Sequence, residues 1–181
     1  MNSKDTILNM NEWGMKNIPF IFIIDYTTDD SIVMPAGWAM KYNILFDFNG
    51  YVNYAPVNRS SLPMISDLQP VGFNRYLKAF NYVQQELNKG NSYLVNLTFP
   101  TPINLQGPLE DIFYYSKAKY KLLYKNHFVV FSPESFVRIK EGKIYTHPMK
   151  GTINASVEGA RELILNDTKE KAEHATIVDL L

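Results

Sequence analysis

The chain has 181 residues, no cysteine, a formal net charge of zero, 46% hydrophobic residues and 20% charged residues. That length supports one sizeable core, and that composition belongs to an ordinary folded chain, not a disordered one. Zero net charge gives no field to draw in nucleic acid or an anionic membrane. The lack of cysteine excludes a disulfide framework, a thiolate metal site and a cysteine nucleophile.

Aromatic residues make up 14% of the chain, with 12 Tyr and 11 Phe, which favours strands with large buried side chains. Residues 19–24 form a short β-branched and aromatic run that predicts a buried strand. The run is far below the roughly 20 residues needed to cross a bilayer, and no targeting segment precedes it. A cytoplasmic location is expected. Residues 43–53 carry Asn49-Gly50 between apolar segments, the signature of a tight hairpin. Residues 60–71 read as a Pro- and Ser-bearing connector. Residues 74–88 predict an amphipathic helix, with Tyr76, Leu77, Phe80, Val83 and Leu87 spaced by threes and fours and Gly90 ending it. Strands are expected at 92–99, 128–131, 136–140 and 143–147, with Glu141-Gly142 turning the last pair. A helix is expected at 109–124 and another at 155–165. Asp167 predicts the cap of a final helix, with Glu170 three residues on. That helix reaches Leu181 in the middle of the apolar stripe Ile177, Leu180, Leu181, with no capping glycine, so the chain reads as truncated.

Four motifs can carry chemistry. Ser132-Pro133-Glu134 sits between two strands, where a rigid bend can aim a carboxyl as general acid or base; an isolated copy is usually a surface turn. Pro148-Met149-Lys150-Gly151-Thr152 offers a glycine for close backbone approach, a hydroxyl and a lysine. At an ordinary pKa of ~10.4 only about one lysine in 2,500 is neutral at pH 7, so a nucleophilic Lys150 needs desolvation or a nearby cation. Alone, it is a solvated loop lysine. Glu170 and Glu173 share one helical face at i, i+3, a hard-oxygen pair suited to Mg2+; an arbitrary pair of this kind is a solvated acidic face. Residues 91–98 follow the long helix as a strand bearing polar groups. There is no Gly-rich dinucleotide or phosphate loop, no zinc spacing among His127, His147 and His174, and no nucleophile elbow.

Taken in order, the motifs resemble those of the chorismate-using enzymes: anthranilate, aminodeoxychorismate, isochorismate and salicylate synthases. The family's G-D-x-Y-Q-V-N-L is similar to Gly90-Asn91-Ser92-Tyr93-Leu94-Val95-Asn96-Leu97, and its S-P-E-R-F to Ser132-Pro133-Glu134-Ser135-Phe136. Its R-P-I-K/A-G-T resembles His147-Pro148-Met149-Lys150-Gly151-Thr152, and its E-x-x-E-H-x-M-I-V-D-L resembles residues 170–180. Lysine in the third motif points to the aminodeoxychorismate branch; anthranilate synthases usually carry alanine there. His147, Ser135, Leu94, Asn91, Asn154 and Ala155 depart from the usual residues and alter the rim.

The resemblance implies an α+β fold: two large antiparallel sheets in a sandwich, helices outside, and the active site between the layers. The chain would be a single domain over residues 1–181, strand-rich over 1–70 and motif-bearing over 71–181, incomplete at its C-terminus. It implies Lys150 as nucleophile, Glu134 as general acid and base, Gly151 and Thr152 against the substrate, and Mg2+ on Glu173 and Glu170. Implied partners are chorismate, ammonia and a glutamine amidotransferase subunit, with a lyase acting on the product toward 4-aminobenzoate and folate. Neither nucleic acid nor membrane is expected. Later segments of family members supply further metal ligands, so the chain alone is expected to have little or no activity. The rival readings are an anthranilate or isochorismate synthase and a non-catalytic chorismate-binding fragment.

Overall fold

The computed structural model describes residues 3–57, 63–147 and 151–180. In chain order the elements are α1 (Ser3–Met15), β1 (Phe20–Ile23), β2 (Ile32–Pro35), a 3-10 helix (Ala36–Tyr42), β3 (Ile44–Phe48), β4 (Tyr51–Val52) and β5 (Met64–Ser66). They continue with α2 (Phe73–Asn88), β6 (Asn104–Gln106), α3 (Leu109–Tyr115), β7 (Tyr120–Tyr124), β8 (Phe128–Ser132), β9 (Arg138–Lys140), β10 (Lys143–Tyr145), α4 (Ala160–Asn166) and α5 (Thr168–Leu180). All strand pairs are antiparallel and the sheets are open. The fold is therefore α+β with antiparallel sheets. Among the described residues no helix is long and apolar enough to cross a membrane.

The chain divides into two compact units, Met1–Pro63 with Gly107–Pro133, and Met64–Gln106 with Glu134–Leu181. The first holds a four-stranded sheet in the order β4-β3-β7-β8. Its centre is the pairing of β3 with β7, in which Leu45 faces Leu123 and Phe46 faces Leu122. Both strands are apolar on both faces, as befits strands covered on both sides. One face buries Ile44, Phe46 and Leu122 with Ile21, Met34, Ala36 and Ala39 from β1, β2 and the 3-10 helix. The other buries Leu45 and Leu123 against Phe113 of α3.

The hairpin turn between β3 and β4 places both Asn49 (φ 56°) and Gly50 (φ 92°) in the left-handed region, as the tight turn requires. The Gly50 N–H donates to the Asp47 carboxylate at 2.8 Å. Beyond β4, the Asn53 side chain extends the ladder: its Oδ1 accepts from the Phe46 N–H at 2.8 Å and its Nδ2 donates to the Ile44 carbonyl at 2.9 Å.

The second unit contains α2, the pairs β5–β6 and β9–β10, and the helices α4 and α5. α2 ends as expected: Gly90 (φ 76°) donates to the Leu87 carbonyl and Asn91 to the Glu86 carbonyl, both at 3.0 Å. Lys89 and then Asn91, hydrogen-bonded to the Glu86 carboxyl, hold it below the usual carboxylate range.

Three expectations need correction. Residues 92–99 form no strand; the Ser92 hydroxyl donates to the Leu94 carbonyl at 3.1 Å, a local bond that competes with a ladder. The helix expected over 109–124 stops at Tyr115, and residues 120–124 become β7 because pairing with β3 outweighs helical spacing. The helix expected from 155 starts at Ala160, because residues 154–159 form two successive turns and Gly159 (φ 69°) stands outside the helix. In the final stripe, Leu180 is exposed and Leu181 lies outside the described residues. The structure also contains α1, β2 and the 3-10 helix, which composition and periodicity did not indicate.

Candidate active site

The sequence-identified residues lie in the chain on either side of one hairpin and at one helix start, and of these the structure brings Gly151 and Glu170 into contact. β8 ends at Ser132, and Glu134, half-buried, follows Pro133. β9 and β10 pair with Arg138 opposite Tyr145. Just beyond that pair, the Thr146 hydroxyl donates to the Phe136 carbonyl at 3.1 Å. The hairpin's open end is thereby tied shut. The Ser-Pro-Glu motif precedes this hairpin in the chain and His147 follows it. Lys150 itself lies outside the described residues, as do Pro148 and Met149.

Gly151 and Glu170 meet directly. Gly151 has φ +67°, and a Cβ added there would overlap Glu170 Oε2, lying 2.5 Å from its Cδ and 2.9 Å from its Cγ. Only a glycine permits that approach without displacing the carboxylate. Thr152, next in sequence, is exposed.

Glu170 is fixed from two sides. Its backbone N–H donates to Asp167 Oδ1 at 3.0 Å, the expected cap of α5. Its Oε2 is buried with no hydrogen-bond partner among the described residues. A buried, unpaired carboxylate oxygen is costly. Glu173 lies one turn on and is half-exposed. Between the two carboxylates sits Lys169, whose Nζ is 3.2 Å from Glu173 Oε1 and 3.5 Å from Glu170 Oε1. Glu173 first, then Glu170, push the Lys169 ammonium above the ordinary lysine range. Sequence reasoning named the two glutamates and not Lys169; the i, i+4 spacing of Lys169 to Glu173 is the signal that could have shown it.

Two carboxylates one helical turn apart, one with an oxygen lacking a partner, form a donor set that a hard cation fits if it retains waters or takes further oxygens from elsewhere. Among the described residues no third His, Asp or Glu joins them. His174 and His147 are exposed and complete no such group.

Comparison with known proteins shows the family of the chain. The chorismate binding enzyme family matches residues 51–181. An uncharacterized PabA-like protein of Haemophilus influenzae is 43% identical over 94% of this chain and 52% of its own length. A second, from Pasteurella multocida, is 42% identical over 97% of this chain and 54% of its own length. Aminodeoxychorismate synthase component 1 of Salmonella typhimurium is 30% identical over 59% of this chain and 26% of its own length. The chain thus spans about half the length of the first two relatives. No solved structure matches. With the family matched over most of the chain, and over all four motifs, the chain belongs to the chorismate binding enzymes.

Proposed function

We propose that the protein carrying this chain is an aminodeoxychorismate synthase of the component 1 type, converting chorismate and ammonia to 4-amino-4-deoxychorismate and water. The observation that carries the reading is the lysine-glycine pair Lys150-Gly151 joined to Glu170 by the Gly151 contact. The contact sets the residue that follows Lys150 in the sequence against the acidic start of α5. Similarity to enzymes named aminodeoxychorismate synthase component 1 supports the same branch.

In this reading the Lys150 amine adds to C2 of chorismate, the ring double bond shifts, and the 4-hydroxyl leaves as water with a proton from Glu134. Ammonia then attacks C4 and the double bond shifts back. Lys150 departs as the free amine and Glu134 recovers a proton. Two substitutions through a covalent intermediate replace one difficult displacement. Thr152 and the Gly151 backbone face the substrate. Glu170 and Glu173 would hold Mg2+, which would supply positive charge to neutralise the ring carboxylate. Lys169, paired with both carboxylates, is the cation the ion would compete with. A glutamine amidotransferase subunit delivers the ammonia, in the cytoplasm. The whole protein completes a two-sheet sandwich with outer helices.

The test is incubation of the full-length protein with chorismate, Mg2+ and ammonium, with mass spectrometry of product and protein. The expected product is 4-amino-4-deoxychorismate, abolished in Lys150→Ala and Glu134→Ala. Anthranilate or isochorismate as product refutes the branch and removes the nucleophilic role of Lys150. Binding of chorismate without turnover refutes the enzyme reading and favours a chorismate-binding fragment.

A further inference from the structure

Residues 9–44 precede the stretch matched by the family, yet they build most of a cavity. It encloses about 460 Å3, within the roughly 300–1,000 Å3 of small-molecule sites. Among the described residues that line it, only Tyr124 comes from beyond position 51. α1 supplies Asn9 and Trp13, the loop before β2 supplies Asp30, and the 3-10 helix supplies Trp38 and Tyr42. All of these lie in the first unit, which holds every buried residue among those described, so the walls rest on a core that is already formed.

The lining is aromatic with a single carboxylate. The chain has two tryptophans, and both are here. Trp13 is braced by Phe20, ring centroids 6.0 Å apart, and Tyr124 by His127, stacked at 4.1 Å. Trp38 is 56% exposed and Tyr42 50%, as rings at a cavity mouth are. The loop carrying Asp30 is fixed by the Asp25 carboxylate, which accepts the Asp30 N–H at 3.0 Å and the Thr27 N–H at 3.2 Å. Among the described residues no lysine, arginine or histidine lines the cavity. An anion therefore finds no counter-charge, which excludes a second copy of the proposed substrate. A primary ammonium brings three donors and strong hydration, and a wall of rings satisfies few of those donors. A quaternary ammonium has no donor to satisfy and is attracted to ring faces, and its charge suits Asp30.

We propose that the first unit carries a binding site for a small quaternary ammonium ion, held among Trp13, Trp38, Tyr42 and Tyr124 with Asp30 supplying the opposing charge. It shares no residue with the site assigned to chemistry: Glu134, Gly151 and Glu170 all belong to the second unit. The proposal does not depend on which reaction the protein performs.

Equilibrium dialysis of the full-length protein against labelled choline at about pH 8, where histidine is neutral, tests it. Saturable retention of choline is expected. The uncharged isostere of choline, with carbon in place of nitrogen, should compete about tenfold more weakly than choline itself. Trp38→Ala should weaken choline binding about tenfold at an unchanged urea midpoint, and Trp38→Phe should recover part of that loss. Asp30→Asn should weaken choline about threefold and leave the isostere unaffected. Should Trp38→Ala shift the midpoint, Asp30→Asn, isosteric and on an exposed loop, decides alone. No retained choline overturns the proposal. So does an isostere that competes as well as choline, which would make the cavity merely apolar. Choline binding unchanged in both Trp38→Ala and Asp30→Asn lies elsewhere on the protein and overturns it too.

Discussion

Lys121 is buried in the first unit, and its replacement by methionine yields a worked stability test. Its Nζ donates to the Phe113 carbonyl at 2.9 Å and the Ser116 carbonyl at 3.0 Å, closing the C-terminal end of α3. The ammonium also lies 4.7 Å from the centre of the Phe113 ring. Lys121→Met keeps the stem and removes both donors. Each orphaned carbonyl costs about 1–3 kcal/mol, offset in part because a charge no longer has to be buried. The expected net loss at pH 7 is about 1–3 kcal/mol, read as a lower urea midpoint. Burial pushes the Lys121 ammonium below the ordinary lysine range, with Asp47 opposing. Between the lowered folded value and ~10.4 the unfolded state binds more protons, so native stability rises with pH through that window. Tyr54 is pushed above its ordinary value by burial and titrates in the opposite sense, so both proteins should carry Tyr54→Phe. In that background the stability gap between the chain retaining Lys121 and its Lys121→Met variant should widen as pH rises toward ~10.4. A gap that narrows, or a methionine variant at least as stable at pH 7, would refute the reasoning.

Leu123 is fully buried between β3, α3 and Val129, so Leu123→Ala should cost about 2–5 kcal/mol by urea unfolding, whereas Val130→Ala, half-exposed on β8, should cost far less. Asn53→Ala should lose about 1–3 kcal/mol, because it removes an acceptor and a donor from the β3 ladder; Asn53→Asp keeps the acceptor toward Phe46 and should still fail toward the Ile44 carbonyl, with both read by the same unfolding assay. On the proposed Mg2+ role of Glu170, Gly151→Ala in the full-length protein should raise the Mg2+ concentration for half-maximal turnover about tenfold by displacing that carboxylate. Gly142→Ala, with a similar φ of +70° and open space around it, should leave that concentration unchanged. Lys169→Ala should tighten Mg2+ binding in calorimetry by removing the cation that already lies between Glu170 and Glu173.

Local chemistry in the sequence was legible where a short pattern admits one geometry. Asn49-Gly50, Gly90, Glu141-Gly142 and Asp167 each occupy the turn or cap expected of them. The α2 stripe was visible because its apolar spacing is sustained over four turns. Residues 120–124 mislead because a tyrosine-rich run has the same composition in a helix as in a strand, and only the distant partner β3 decides between them. α1 was invisible for the opposite reason: its apolar residues make no strong stripe, and Ile7 and Leu8 are exposed. At the site, the motifs named Glu170 and Gly151, but their contact depends on a left-handed backbone at Gly151 that no spacing rule shows.

The register of β3 against β7 also sets an order of events during synthesis. β3 ends at Phe48, and the strand that covers its edge does not begin until Tyr120, after much of the second unit has been made. At typical elongation rates that interval lasts several seconds. Throughout it, β4 pairs only with Asp47 and Phe48, and the Asn53 side chain holds only the Phe46 N–H and the Ile44 carbonyl. A nascent chain arrested before Tyr124 therefore presents an unpaired apolar strand edge, the feature that recruits chaperones or seeds aggregation. Folding of the first unit is a late, non-local closure, and its rate is governed by the long excursion between its central strands.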